Sequence, residues 1–187
     1  MQEFPPYETL LQRYAEAETA VKTVENLVGD FIMPSINQLR YAGRHLAEYL
    51  TLSDDNNEKL NQYNEFVSHC DRAEREAWEL GIIYLLEWIN DFDKYYRSIT
   101  VTDVIQNYIY TRKKIRSIQE FLDTSPMNGQ NHNKIQFKEN FIELREIYDS
   151  YDLCQQELNK KLMHATNQVL FSLIAILLTI LGIILSL

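Results

Sequence analysis

Residues 134–187 read KIQFKENFIELREIYDSYDLCQQELNKKLMHATNQVLFSLIAILLTILGIILSL, and the fold turns on this stretch. Its first part places Phe137, Phe141, Leu144, Tyr148, Tyr151, Leu158, Leu162 and Ala165 at steps of three, four or seven. That is the spacing of one face of an amphipathic helix. Its last nineteen residues, Val169 to Leu187, are apolar, with neither charge nor proline. At about 1.5 Å per residue they cross a roughly 30 Å hydrocarbon core once. No glycine or proline falls between Asn133 and Gly182. The spacing therefore predicts one helix from Lys134 into a bilayer, which would couple the preceding domain rigidly to the membrane segment.

Inside the apolar segment, Ser172, Ala175, Thr179, Gly182 and Ser186 stand 3, 4, 3 and 4 apart, and every other position is Val, Leu, Ile or Phe. The five share one helix face. Acyl chains already solvate large side chains well, so a small-residue face serves where helices approach closely or where hydroxyls meet water. The stripe has two readings: helix packing, or the lining of a water-filled lumen in which the hydroxyls need solvent or each other.

Only five Gly and four Pro occur in 187 residues, which argues against a many-stranded sheet and for long helices with few turns. The expected fold is all-α, with one helical domain over residues 1–166 and a transmembrane helix over residues 167–187. Residues 1–96 hold 18 acidic and 8 basic side chains, residues 97–166 hold 9 and 10, and the net charge is −9. Acidity on this scale disfavours broad, non-specific nucleic-acid binding but leaves room for one small basic site. The opening MQEFPPYETL lacks a basic and apolar leader, so the C-terminal segment is the expected membrane address. Lys160 and Lys161 precede that segment and no charge follows, which places the N-terminal domain in the cytoplasm. Cys70 and Cys154 form no CxxC pair and the histidines are not clustered along the chain. No disulfide, metal or other cofactor is implied, and both thiols read as buried.

Four further helices follow from periodicity and punctuation. The first opens after Pro5-Pro6 and keeps its stripe from Tyr7 to Gly29. The second starts at Pro34, with Ile36, Leu39, Gly43, Leu46 and Leu50 inward, and ends before the polar run from Ser53 to Asn57. The third covers about Glu58 to Arg97, with Leu60, Tyr63, Val67, Cys70, Trp78, Leu85, Trp88, Phe92 and Tyr95 on its apolar side. That is close to 60 Å of helix, too long for one compact core unless it bends or extends. The fourth follows a cap at Thr102-Asp103 and stops near Asp123, ahead of a loop at residues 124–133.

Two clusters carry candidate chemistry. The second helix concentrates Asn37, Arg40, Tyr41, Arg44 and His45 in an otherwise acidic half. Arg40 and Arg44, like Tyr41 and His45, are one helical turn apart, and an Arg with a His can bind a phosphate and move a proton. The bland alternative is an Arg paired with nearby Glu and a His satisfied within the bundle. The second cluster, Arg112, Lys113, Lys114 and Arg116, reads as a solvated face, or as phosphate contact with lipid headgroups, RNA or a neighbouring acidic subunit.

Arg40-Tyr-Ala-Gly-Arg-His45 resembles the arginine, four to six residues, histidine motif of HEPN domains, helical bundles that often act as ribonucleases when two motifs meet across a dimer. Tyr41 stands where active members commonly carry a polar residue, so the expectation is a contact or ligand-binding role for Arg40 and His45 rather than RNA cleavage. Taken with the single membrane span, the whole architecture resembles the small membrane accessory proteins encoded beside the RNA-guided ribonuclease of type VI-B CRISPR systems. The resemblance implies a homo-oligomeric ring in the bacterial inner membrane, roughly eight-fold by expectation. Such a ring would form a pore that strengthens RNA-guided immunity, with RNA or a nucleotide as a further partner. The alternatives are a membrane-tethered HEPN ribonuclease and a non-enzymatic, tail-anchored adaptor.

Overall fold

The computed structural model of the protein describes residues 5–53, 57–124 and 134–185. These form helices α1 (Tyr7–Val28), α2 (Met33–Thr51), α3 (Asn57–Tyr96), α4 (Tyr108–Thr124) and α5 (Lys134–Leu185), with no strand among the described residues. The all-α expectation holds, and the punctuation marks act where the sequence puts them. Gly29 ends α1 in the left-handed region at φ 75°, its N–H donating to Glu25 O at 2.8 Å, a conformation that costs a Cβ-bearing residue energy. Pro34 sits in the first turn of α2, where its missing N–H breaks no bond. The loop read at residues 124–133 lies outside the described residues after Thr124.

At 40 residues α3 is the spine. Its length is shared among partners, with α2, α1 and α5 all packing against it. Its buried line runs Phe66, Cys70, Ala73, Ala77, Ile82, Leu85, Ile89, Phe92 and Tyr96. Tyr95, expected inward, is 61% exposed, whereas Tyr96 is buried and donates its hydroxyl to Asn159 Oδ1 at 2.8 Å. From Phe92 the next inward position is four residues on, not three, since 3.6 residues make a turn. In α2 the offset runs the other way: three residues after Leu46, Tyr49 is buried, and Leu50 is exposed.

Where α1, α3 and α5 cross, Gly81 leaves no room for a side chain. A Cβ there would lie 2.6 Å from Phe141 Cε2 and 3.2 Å from Val24 Cγ1. Phe141 cannot retreat easily, because Trp78 stacks against it with ring centroids 4.9 Å apart. Below this point Trp88 meets Tyr148 edge-on at 4.4 Å and Phe92 meets Tyr151 at 4.9 Å, continuing the α3–α5 seam. At the start of α5, Lys134 lies 2.8 Å from Asp71 and 3.5 Å from Glu74, and both carboxylates also pair with Arg13 of α1. Burial works against the Arg13 charge, but the hydrogen bond and the charge of Glu74, with Asp71, outweigh it and raise its pKa.

Thr102-Asp103 does not cap α4. Residues 101–107 instead make a turn that drives Ile105 into the core, with its N–H on Val101 O at 2.9 Å. Asn107 at φ 59° breaks the turn before α4 begins at Tyr108. Burying Ile105 outweighs local capping, and Asp103 is freed to meet Lys161 of α5 at 3.1 Å.

Helix α5 runs unbroken for 52 residues, about 78 Å, across position 166. All of residues 166–185 are exposed, so the apolar half rests on nothing in its own chain. It is long and apolar enough to cross a membrane once. We expect Gly81→Ala to destabilise the solubilised full-length chain by about 1–3 kcal/mol through overpacking. A double-mutant cycle in denaturant should show a smaller cost in a Phe141→Leu background; equal costs in both backgrounds would separate Gly81 from Phe141.

Candidate functional sites

The seam between α2 and α3 joins side chains that lie far apart in the sequence. His45 of α2 and His69 of α3 stack nearly parallel, 5.2 Å between ring centroids and 9° between planes, and Tyr41 covers the edge of His69 at 5.3 Å. His45 Nδ1 is 2.6 Å from Gln62 Oε1 and His69 Nδ1 is 2.7 Å from Gln38 Oε1. Gln62 donates from Nε2 to Glu58 Oε1 at 2.9 Å, and Gln38 donates from Nε2 to Glu76 Oε1 at 3.3 Å. A carboxylate only accepts, so each amide turns its nitrogen to the glutamate and its oxygen to the imidazole. Both histidines therefore donate from Nδ1, which leaves Nε2 as the ring nitrogen not engaged by a glutamine. Glu65, one turn before His69, brings its Oε2 to 4.0 Å from His69 Nε2. Burial first, then the neighbouring His45 and Arg72, hold the His69 pKa below its ordinary value. Burial raises the pKa of Glu76, whose Oε2 has no hydrogen-bond partner.

Of the motif residues read from sequence, the structure brings only Tyr41 and His45 into this seam. Arg40 is exposed and donates to Asn37 Oδ1 at 3.0 Å, and Arg44 is exposed and pairs with Glu48 at 2.9 Å. Five residues along a helix turn a side chain by about 140°, so Arg40 and His45 point apart and share no pocket within one chain. His69 and Glu65 were missed in the sequence because no local spacing links them to His45; only the α2–α3 packing does.

No protein-family model, curated protein or solved structure matches this chain.

On α4 the basic cluster divides. Arg112 pairs with Asp93 of α3, and Lys114 pairs with Glu143 of α5 while lying 5.6 Å over the Tyr110 ring, so these two hold α4 in place. Arg112, Lys113 and Arg116 line a shallow groove with Ile109, Ile115 and Gln119. In the apolar half of α5, Ser172 donates to Gln168 O and Thr179 to Ala175 O, each at 2.8 Å. Both hydroxyls thus donate within their own helix, which is compatible with either reading of the stripe. Ala175 and Gly182 complete the described face, with open space around Gly182; Ser186 lies outside the described residues.

Neither cysteine is bonded; Cys70 is fully buried and Cys154 half-buried. Burial pushes the Cys70 thiol up to about 12. A thiol is nucleophilic as thiolate, so Cys70 is inert in the folded chain. In alkylation at pH 8 followed by mass spectrometry, Cys154 should label first and Cys70 only on unfolding; labelling of Cys70 ahead of Cys154 would contradict its burial.

Proposed function

We propose that this chain is a single-pass effector of the bacterial inner membrane, with residues 1–166 in the cytoplasm. It assembles with copies of itself into a ring and permeabilises the membrane in support of a type VI-B RNA-guided ribonuclease. The observation that carries this reading is the form of α5: its first half is clamped into the bundle, while residues 166–185 stand uncovered. A helix that belonged to a membrane-anchored monomer would need no special face, yet the bulky residues of this segment leave Ser172, Ala175, Thr179 and Gly182 on one side. Because both hydroxyls are satisfied internally, that side is small and dry enough for close helix contact and polar enough to border water. Outside the membrane segment, Phe31, Ile109 and Leu153 are 76%, 69% and 84% exposed, apolar surface that contacts between copies would cover.

The Arg40–His45 motif supports the link to RNA-guided defence by resemblance. Within one chain Arg40 and His45 diverge, so a shared site would need a second copy, and their role in this reading is contact or ligand binding between subunits. Nuclease activity and passive anchoring become outcomes of the test.

Replacing Ala175, Thr179 or Gly182 with Leu should reduce dye uptake and depolarisation in expressing cells to near background, whereas Leu177→Ile and Ile184→Leu should leave both near wild type. Inserting two Gly after Thr166 should keep the chain in the membrane fraction but weaken permeabilisation, because the bundle and the membrane helices would lose their register. Equal responses from both faces, or full activity of the insertion variant at normal expression, would favour an anchored adaptor. RNA cleavage by the purified chain that is lost in His45→Ala would favour the tethered nuclease.

A further inference from the structure

We propose that His45, Glu65 and His69 form a binding site for one divalent transition-metal ion of the zinc type, riveting α2 to α3. A ligand atom from each of the three lies within 4.8 Å of the others. Around zinc, nitrogen and oxygen ligands at about 2.0–2.2 Å stand roughly 3.3 Å from one another. The set must therefore close by up to about 1.5 Å: Glu65, whose side chain is 57% exposed, swings toward the rings, and the two imidazoles tilt toward each other.

The stronger argument lies behind the ligands. A histidine that binds metal through one ring nitrogen needs the other N–H held by an acceptor, which fixes the tautomer and aims the lone pair. Here that arrangement occurs twice. Gln62, oriented by Glu58, accepts from His45, and Gln38, oriented by Glu76, accepts from His69. Two half-buried imidazoles are thus presented side by side, each held at Nδ1 by a glutamine, and among the described residues neither Nε2 has a hydrogen-bond partner. Stacking two rings in this way has no packing advantage over two apolar residues. A cation between the Nε2 atoms and the Glu65 carboxylate gives the pair a purpose.

Two imidazoles and one carboxylate suit zinc, cobalt or nickel and disfavour calcium and magnesium, which take oxygen. Three protein ligands leave a fourth position for water or another donor. The inference is independent of the pore: it concerns how the second and third helices are joined.

The test uses the full-length chain, solubilised in detergent and stripped with a chelator, titrated with cobalt(II) and followed by its visible ligand-field absorption. We expect one ion per chain, displaced by zinc, together with a rise in Tm when metal is added. His45→Ala and His69→Ala should each abolish the absorption, and Gln38→Leu or Gln62→Leu should weaken binding about 10–100-fold. His164→Ala, at an exposed histidine on α5, should bind as wild type. Should the histidine variants lose their helical circular dichroism, Glu65→Gln decides, because its side chain is exposed: a tenfold or greater loss of affinity supports the site. Absence of a cobalt signal in wild type, or unchanged affinity in Glu65→Gln, would overturn it.

Discussion

The ring of Phe141 occupies the space where a side chain on Gly81 would stand, and the rest of the molecule depends on that close approach. A Cβ at position 81 would push α5 off α3 just where α1 also passes, through Val24. With glycine there, the three helices close on one point, Trp78 backs the Phe141 ring, and the aromatic pairs further along α3 and α5 fall into contact. The Arg13, Asp71, Glu74 and Lys134 cluster fixes the opposite end of the same crossing. A charge cluster of this kind adds specificity of register more than net stability, since desolvating its members offsets much of their attraction.

From this clamp the direction of the membrane segment follows. α5 contains no glycine or proline before Gly182, so the angle set at Phe141 is carried along the helix to residues that touch nothing else in the chain. Nor is there a flexible joint at position 166, where amphipathic and uniformly apolar sequence meet. In the proposed ring, a change in how neighbouring bundles pack would reach the apolar helices as a change of tilt, with Lys161 and Asp103 making the last ion pair among the described residues before the apolar stretch. That exposed pair is worth little energy and marks a position rather than a lock.

Most of the helix map was legible because strong punctuation coincides with periodicity: Gly29, Pro34 and the long run after Asn133 each act as their chemistry demands. The sequence failed where a tertiary contact overrode a local signal. Thr102-Asp103 has the residues of a cap, but burying Ile105 and pairing Asp103 with Lys161 win. Tyr95, placed three residues after Phe92, and Leu50, placed four after Leu46, were each one position off because whole-number steps only approximate a turn of 3.6 residues. The α2–α3 site was half legible. Tyr41 and His45 stood out, but their real neighbours, His69, Glu65, Gln38 and Gln62, come from packing between helices and leave no trace in local spacing. Arg40 and Arg44, which drew attention by charge, lie in solvent with local partners.

Self-association is the central claim, since an uncovered apolar rod with one small-residue face makes physical sense chiefly among copies of itself. The mass of the full-length chain in mild detergent, measured by light scattering with the detergent contribution subtracted and repeated on dilution, tests it most directly. A self-associating chain gives one discrete species of several copies that persists on dilution and shifts to smaller species in Gly182→Leu. A wild-type chain that is monomeric at every concentration would contradict it.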